Sequence, residues 1–311
     1  MSPTPRVSVC IAAWRSPRAH LQAALASALD QHEPVLEVLV GDDSPDDRLR
    51  AVVSAFGDQR VRYVHHRTTR GAAGNHAWLL AEARGRFVAI LNHDDAWEPL
   101  FTAELSAALE REPQAVLAFC DHHVCDAAGQ PLAAETYRNT AAWGRDRLAA
   151  GLHRPFMPLV VSQSIPLAMG TLMRRSALDG WLAGGWWRVA GPAYDLWIAY
   201  LLARGGGGAV YVPARLSRWR THGNSLTAAA NDDWLRGAAR CWRVMAADPA
   251  FVAEHAAVHR KAASAWAACA RHAARRGAFA TLAHDASLAL SHLRARPVGN
   301  AQPWRPRPAD S

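Results

Sequence analysis

The sequence predicts an α/β fold, in which a mostly parallel sheet carries helices on both faces and a helical extension follows it. Short apolar runs alternate with helical patterns over the first hundred residues, and acidic or glycine-rich turns follow several of these runs. From residue 232 to about residue 296 the chain is alanine-rich and nearly free of proline and glycine. Right-handed crossovers place the ends of parallel strands along one edge, where ligands bind in open α/β sheets.

The predicted elements follow one another in a regular order. Strands are expected over residues 7–11, 36–40, 61–64 and 87–91, with helices over residues 21–29 and up to residue 83. In the second half, large apolar side chains recur at helical spacing, which predicts two or three amphipathic helices packed against the main domain: Trp234, Trp242, Met245, Val258, Ala262, Trp266 and Cys269.

The most informative segment is an apolar strand, residues 87–91, that stops abruptly at four polar residues. Asp94 and Asp95 are adjacent carboxylates, and a hard divalent cation would compensate their repulsion. If the extended geometry continues, Asn92 and Asp94 point to one side and His93 and Asp95 to the other, and the Asn92/Asp94 side is favoured for the metal. The alternative is that one of the two acids merely caps the following helix.

Several motifs together resemble family 2 glycosyltransferases with the GT-A fold. VSVCIAAW, LVGDDSPDD and GRFVAILNHDDAWEP are similar to the nucleotide-sugar half of that family, and AMGTLMRR, YDLW and WRTHGNS to its later motifs, so that the resemblance covers roughly residues 6–227. It implies a GT-A domain over residues 1–230, divided into a nucleotide-sugar-binding half (1–125) and an acceptor half (126–230), with a helical extension over 231–296. It also implies an inverting transferase that moves a sugar from a UDP or dTDP sugar to an acceptor hydroxyl in polysaccharide or glycan synthesis.

The resemblance assigns the nucleoside pocket to residues at the ends of the first strands. Asp43 would accept the base N–H of uridine or thymidine, and Asp42 would support the turn, either for the ligand or simply as an Asx-turn residue. Ala12 and Trp14 lie where the family lines the pocket, and Trp14 either stacks on the base or packs in the core. Asn75, after the arginine- and glycine-containing turn, is a further expected donor contact.

The resemblance also implies a Mg²⁺ or Mn²⁺ site. Asp94 takes the place of the metal-binding acid of the Asp-x-Asp motif, while Asn92 replaces the first acid and His93 lies between them as a further donor contact. His222 matches a family histidine that approaches the diphosphate or the metal, and an imidazole suits manganese. The alternative for His222 is an ordinary surface residue.

The departure from the family pattern concerns the catalytic base. The family carries an acid just before its Tyr-Asp-Leu-Trp-like run, and this chain has Pro192 and Ala193 there. Asp195 is the nearest remaining carboxylate, so either it or another acid takes the proton, or catalysis is impaired, or the register is shifted. The second functional hypothesis is therefore a noncatalytic nucleotide-sugar-binding protein. The tryptophans of residues 184–187 either stack on acceptor sugars or pack inside.

Composition restricts the remaining classes. The formal net charge of +8 comes without a nucleic-acid-binding motif, so no nucleic acid partner is expected, and peripheral contact with an anionic membrane is the further expectation. Without a signal-peptide pattern, the five cysteines indicate reduced thiols in the cytoplasm or at the inner face of a membrane. The cysteines and histidines of residues 120–125 do not favour zinc, because a strand would split them between faces. The tail 297–311 is expected to be disordered, and a dehydrogenase is excluded by the missing GxGxxG turn.

Overall fold

The computed structural model describes residues 6–182, 185, 187–223 and 232–295, so the predicted disordered tail lies outside the described residues. In this part of the chain a nine-stranded sheet has the order β3-β2-β1-β4-β8-β6-β9-β5, and β7 pairs with β9. The strands are β1 (Val7–Ala13), β2 (Glu37–Asp42), β3 (Val61–His65), β4 (Phe87–Ile90), β5 (Ala96–Trp97), β6 (Ala115–Cys125), β7 (Gly151–His153), β8 (Thr171–Arg174) and β9 (Gly208–Arg220).

The helices flank the sheet and then continue beyond it. They are α1 (Arg18–Leu29), α2 (Leu49–Ser54), α3 (Gly71–Glu82), α4 (Phe101–Arg111), α5 (Ala133–Ala142), α6 (Met157–Ser162), α7 (Leu167–Gly170), α8 (Asp179–Leu182), α9 (Trp187–Ala190), α10 (Tyr194–Arg204), α11 (Asp232–Ala246), α12 (His255–Arg275) and α13 (Phe279–Arg294). Short 3₁₀ helices cover Arg145–Arg147, Arg175–Ala177, Gly191–Ala193 and Pro249–Glu254.

The sheet is mixed: six of the nine strands run in one direction, as the prediction of a mostly parallel sheet requires, but four of the eight strand pairings are antiparallel. Strands β1, β2, β3 and β4 run parallel, while β8 is antiparallel to both β4 and β6. Strand β9 runs parallel to β6, and the short strands β5 and β7 pair antiparallel with β9. The carboxyl ends of β1, β2, β4, β6 and β9 therefore lie at one edge of the sheet, which places residues distant in sequence side by side.

Helices cover both faces of the sheet. Alternate residues of a strand point to opposite sides, so each strand contributes side chains to both cores. On β1, Val9 and Ile11 join a core with the apolar side chains of α1 and α4, whereas Cys10 joins a core with those of α3 and α10. Strands β1, β2 and β4 are buried on both sides, which explains why their sequences are nearly continuous apolar runs.

The helical extension is present and packs on the main domain. Helix α11 buries Trp242 and Met245 in the same core as α3 and α10, so the first extension helix completes one face of the domain. Helices α12 and α13 then pack against α11 and each other through Trp266, Cys269 and Ala289. The division of the chain at residue 230 stays a prediction, since residues 224–231 lie outside the described part.

Two further expectations concern metals and membranes. The strand β6 contains Cys120 and Cys125, and the Cys120 thiol donates to the Gly170 carbonyl at 3.5 Å. No group of three histidine, cysteine or acidic side chains converges as metal ligands among the described residues. In the same residues, none of the helices combines the length and apolar character needed to cross a bilayer.

Candidate active site

The turn after β2 is built around Asp42, which is fully buried. One carboxylate oxygen accepts the backbone N–H of Ser44 at 2.8 Å, and the other accepts the Tyr63 hydroxyl at 2.6 Å. The first of these bonds is the Asx turn anticipated from the sequence. Because both oxygens are bonded within the protein, Asp42 shapes the turn.

Asp43 faces the beginning of α3. Both of its carboxylate oxygens lie 3.1–3.2 Å from the backbone nitrogen of Arg70, whose N–H they share. Burial raises the pKa of Asp43, and the backbone N–H groups of Arg70 and Gly71 partly offset this rise. These bonds hold the Asp43 carboxylate in place at the carboxyl end of β2. A carboxylate oxygen there is an acceptor of the kind that a nucleotide base N–H requires. The residues expected to form a turn, 71–75, instead form the start of α3.

The Asn75 side chain is bonded within the protein and is not free to contact a nucleotide sugar at the carboxyl ends of the strands. It is buried, its amide N–H₂ donates to the Gly41 carbonyl at 2.8 Å, and its amide oxygen lies 3.2 Å from His66 Nε2. A β-carbon at Gly41 would lie 2.2 Å from the Asn75 oxygen, so the glycine is required for this close approach. The amide therefore joins α3 to β2, and its placement argues for a structural role in place of the predicted ligand contact.

The end of β1 lies between the two acidic turns. Ala12 is partly exposed, and Trp14 is 46% exposed, so the expectation that Trp14 packs in the core is wrong. Arg15 adopts a left-handed φ of 49°, donates its N–H to Ser44 Oγ at 2.8 Å, and holds its guanidinium 5.2 Å from the Trp14 ring centre. The indole is thus supported on one side and available for stacking on the other.

Residues 92–95, shortly after β4, form a turn. The prediction that their side chains alternate between two sides of an extended chain is therefore wrong. The Asp95 N–H donates to the Asn92 carbonyl at 3.2 Å, and the Asn92 amide donates to Asp95 Oδ2 at 2.9 Å. Asp95 Oδ1 accepts the N–H of Arg220 at 2.9 Å. Burial, and then the charge of Asp94, raise the pKa of Asp95 well above its usual value. Asp95 is therefore an internal residue that joins β4 to β9.

Neither acid caps the following helix. Helix α4 begins at Phe101, its N-cap residue Leu100 makes no side-chain capping bond, and the strand β5 separates the acids from the helix. The capping explanation of the Asp94–Asp95 pair is thus wrong.

Asp94 points to a different partner, His222. Its Oδ2 lies 3.0 Å from His222 Nε2, and both side chains are largely but incompletely buried, at 17% and 14% exposed. The Arg220 guanidinium donates to the Asp94 carbonyl at 2.8 Å and so fixes the backbone below this pair. The expectation that His222 is an ordinary surface residue is wrong, because the fold brings it to the Asp94 carboxylate.

Two further histidines surround this pair. The His20 ring lies 5.3 Å from the His222 ring, and burial lowers its pKa, with Arg220 and His222 lowering it further. His93 Nδ1 is buried without a hydrogen-bond partner, and burial lowers the pKa of His93. Both rings therefore favour the neutral form, which leaves lone pairs beside Asp94.

Asn92 is fixed from the acceptor half of the chain. Its amide oxygen accepts the Tyr194 hydroxyl at 3.1 Å, and the Tyr194 ring stacks on His76 with a centre distance of 3.9 Å. Burial lowers the pKa of His76 to about 4, so this ring is neutral at physiological pH. The roles of His20, His76 and Tyr194 were not predicted, and only Tyr194 belongs to a motif that could have indicated it.

The segment expected to carry the base is enclosed by α11. Ala193 is fully buried, and a β-carbon at Gly237 of α11 would lie 3.4 Å from Ala193 Cβ and 2.3 Å from the Ala190 carbonyl oxygen. Position 193 therefore has no room for a carboxylate. Pro192 lies in the same short 3₁₀ helix and is partly exposed.

Asp195 follows in the first turn of α10 and is partly exposed. Its Oδ1 accepts the N–H of Leu196 at 2.8 Å, and burial raises its pKa. Its charge in turn helps to raise the pKa of Cys241 on α11, which places Asp195 beside that helix.

A cavity of about 260 Å³ opens between α3 and the α8–α9 segment. Its lining includes the side chains of Arg70, Trp78 and Trp187, and Gly74 contributes no side chain to fill it. Arg70 connects this cavity to Asp43, because its N–H donates to that carboxylate. Two indole rings beside a guanidinium form a surface suited to the faces and hydroxyls of a sugar.

Asp94 and His222 together fit a divalent ion that also binds a diphosphate. They supply one carboxylate and one imidazole at 3.0 Å from each other, whereas Asn92 and Asp95 are bonded to each other. Mg²⁺ in particular is commonly held by one or two protein ligands, with phosphate oxygens and water completing the coordination.

Comparison with known proteins identifies a related family and several similar proteins. Residues 8–157 match the model of glycosyl transferase family 2. The UDP-Glc:alpha-D-GlcNAc-diphosphoundecaprenol beta-1,3-glucosyltransferase WfgD of Escherichia coli is 38% identical over 77 residues, which are 25% of this chain and 30% of the relative. The succinoglycan biosynthesis protein ExoO of Rhizobium meliloti is 37% identical over 95 residues, which are 30% of this chain and 27% of the relative. The chain thus spans about a third of the length of these relatives.

The solved structure of Staphylococcus aureus TarS residues 1–349 in complex with UDP-GlcNAc superposes with a TM-score of 0.60 and 14% identity. The superposition covers 93% of this chain and 92% of that one. The GT-A architecture expected from the sequence motifs is thereby confirmed.

Proposed function

We propose that the protein is an inverting, metal-dependent glycosyltransferase, because residues 8–157 match the model of glycosyl transferase family 2. Its donor is a UDP or dTDP sugar, and its acceptor is a hydroxyl in surface polysaccharide or glycan synthesis. The observation that carries this proposal is the Asp94–His222 pair at the carboxyl end of β4, inside the family segment on one side and contributed by the end of β9 on the other.

The donor lies across the end of β1. Strands β2 and β4 both pair with β1, so Asp43 and Asp94 flank its end at a separation of about 10 Å, or two strand spacings. The base would bond to the Asp43 carboxylate and stack on Trp14, and the diphosphate would lie against Asp94. Ala12 leaves space between them because its side chain is small.

The cation, Mg²⁺ or Mn²⁺, would be held by Asp94 and His222. When bound, it supplies positive charge to the diphosphate leaving group. The rings of His20 and His93, whose pKa values are lowered by burial, lie close to this pair, and Tyr194 keeps the Asn92 amide oriented toward the turn. These residues pre-form the diphosphate end of the site before the donor binds.

The acceptor enters from the side of α3, α8 and α9. Trp78 and Trp187 present aromatic faces there, and WfgD, by its name, acts on a sugar carried on diphosphoundecaprenol. An acceptor of that class, a lipid-linked saccharide, would place a sugar over the indoles. Its hydroxyl would attack the anomeric carbon from the face opposite to the diphosphate, which inverts the configuration.

A carboxylate must take the hydroxyl proton, and Asp195 is our assignment for it. It lies in the first turn of α10, directly after Tyr194 in sequence, and its pKa is raised by burial, which makes the carboxylate a stronger base. The closed packing at Ala193 favours the second candidate function, a noncatalytic nucleotide-sugar-binding protein, because the expected base cannot occupy that position.

A donor screen tests the proposal and separates the two functions. Thermal shift should show stabilisation by UDP or dTDP sugars that increases with Mn²⁺ or Mg²⁺ and disappears with EDTA. Slow release of UDP from the preferred donor, with water as acceptor, should then be detectable by NMR. Metal-dependent binding without any release of UDP, also in the presence of lipid-linked acceptor, identifies a binding protein, and the absence of nucleotide-sugar binding contradicts both functions.

A further inference from the structure

The outer face of α13 carries a continuous apolar stripe. Phe279, Leu290 and Leu293 are 75%, 49% and 64% exposed. At 100° per residue these three positions, with Ala283 and Ala286 between them, fall within an arc of about 80°, and the stripe is roughly 21 Å long. Large apolar side chains in one line on an exposed helix face indicate a contact surface.

The face of α13 that the fold buries is a different one, centred about 115° around the helix from the stripe. Asp285, Ala289 and His292 are buried against α11 and α12, and both carboxylate oxygens of Asp285 accept hydrogen bonds from the Arg236 guanidinium at 2.9–3.1 Å. His292 Nδ1 lies 3.1 Å from His259 Nδ1 of α12. The helix is therefore anchored without the stripe, and the exposed side chains have no role in holding it to the domain.

The surroundings of the stripe are basic. Residues 255–295 contain a single acid, Asp285, which is buried and bonded to Arg236. Arg275 and Arg276 are exposed one turn before Phe279, and Arg294 is exposed directly after Leu293. The apolar stripe thus has arginines at both ends and no exposed acid among the described residues of α12 and α13.

We propose that this face of α13 docks on an anionic lipid surface. The apolar side chains would enter the boundary between head groups and acyl chains, while the arginines would bind lipid phosphates. A second copy of the chain is a poorer occupant, because arginines at both ends of the stripe would face arginines in either orientation of a two-fold contact. Docking does not require catalysis, so the surface goes beyond the proposed function, although it would hold the site near a lipid-linked acceptor.

Vesicle flotation of the full chain tests this surface without donor or acceptor. The vesicles are phosphatidylcholine alone or phosphatidylcholine with about a third phosphatidylglycerol. The double variant Phe279→Ser, Leu293→Ser should bind the anionic vesicles about a hundredfold more weakly, since each buried apolar side chain adds about tenfold or more. Arg275→Gln with Arg276→Gln should weaken binding about fivefold for each arginine removed. Tyr137→Ser, at a residue 68% exposed on α5, and Arg138→Gln with Arg147→Gln are the matched controls and should bind as the original chain does.

The outcomes decide between occupants. Preferential binding to anionic vesicles that is lost in both helix variants and kept in both controls supports the proposal. Equal binding by the original chain and the Phe279→Ser, Leu293→Ser variant overturns it. Self-association measured by light scattering that this variant abolishes, without vesicle binding by the original chain, assigns the stripe to a second copy and also overturns it. UDP binding by calorimetry should be the same in all variants, so a failure of lipid docking is distinguishable from a failure of the nucleotide site.

Discussion

The two acidic pairs of the sheet edge, Asp42–Asp43 and Asp94–Asp95, have the same design with opposite order. In each pair one acid is enclosed and bonded at both oxygens: Asp42 to Ser44 and Tyr63, and Asp95 to Asn92 and Arg220. The other acid of each pair is the one to which we assign a ligand contact: the Asp94 side chain is 17% exposed, whereas Asp43 is 3% exposed and accepts the Arg70 N–H. One carboxylate therefore builds the turn and fixes the direction of its neighbour.

The two pairs differ in the group that holds the acid to which we assign a ligand contact, Asp43 in the first pair and Asp94 in the second. Asp43 is held by a backbone N–H at the start of α3, only 27 residues away in sequence. Asp94 is held by His222, 128 residues away, beside β9. The end of the site that we assign to the nucleotide base is thus held by contacts within the first half of the chain, whereas the end that we assign to the diphosphate needs both halves. Substituting the enclosed acid of a pair should therefore lower the free energy of unfolding, whereas substituting the other acid should mainly weaken nucleotide binding.

The largest effect is expected at Asp195, which belongs to neither pair. If it takes the acceptor proton, Asp195→Asn should lower turnover by about 10²–10⁴ while donor affinity stays unchanged. The control is Asp179→Asn, at an exposed acid in the first turn of α8, which should retain activity. Unchanged turnover in Asp195→Asn, measured as initial rates with saturating donor, would exclude Asp195 as the base and direct the search to another acid.

The next effect concerns stability and compares the members of the second pair. Asp95→Ala removes the acceptor of two buried donors, the Arg220 N–H and the Asn92 amide, so the free energy of unfolding should fall by about 2–4 kcal/mol. Asp94→Ala should lower it by less than about 1 kcal/mol, because only a partly exposed His222 loses its partner. Urea unfolding followed by circular dichroism measures both. Equal losses would show that the two acids do not have separate roles.

A smaller effect is expected at Asp43. A carboxylate that accepts the N3–H of uracil discriminates against cytosine, whose N3 is an acceptor, so UDP should bind at least about tenfold more tightly than CDP. Asp43→Ala should remove this preference while leaving the metal dependence of binding intact. Isothermal calorimetry with both nucleotides measures the ratio. If the unmodified chain binds CDP and UDP equally, base recognition has been assigned to the wrong residue.

The sequence predicted the sheet and the strand-end acids because continuous apolar runs define buried parallel strands. It did not predict the turn at residues 92–95, because alternation assumes an extended chain, and the Asn92–Asp95 and Arg220–Asp95 bonds become visible only after folding. His20 and His76 carry no local signal, since their neighbours come from other elements. The enclosure of Ala193 depends on Gly237 in α11, which no pattern near residue 193 indicates.

The central claim is that the Asp94 carboxylate carries metal-dependent nucleotide binding, and calorimetry of Asp94→Asn with UDP tests it directly. The amide keeps the size of the side chain but loses the charge that a hard cation prefers. UDP affinity of the original chain should rise with Mn²⁺, and Asp94→Asn, still folded, should no longer respond to the metal. Asp46→Asn, at an exposed acid after the first pair, should respond as the original chain does. An Asp94→Asn variant that retains the full Mn²⁺ effect on UDP binding would show that the Asp94 carboxylate is not responsible for metal-dependent binding.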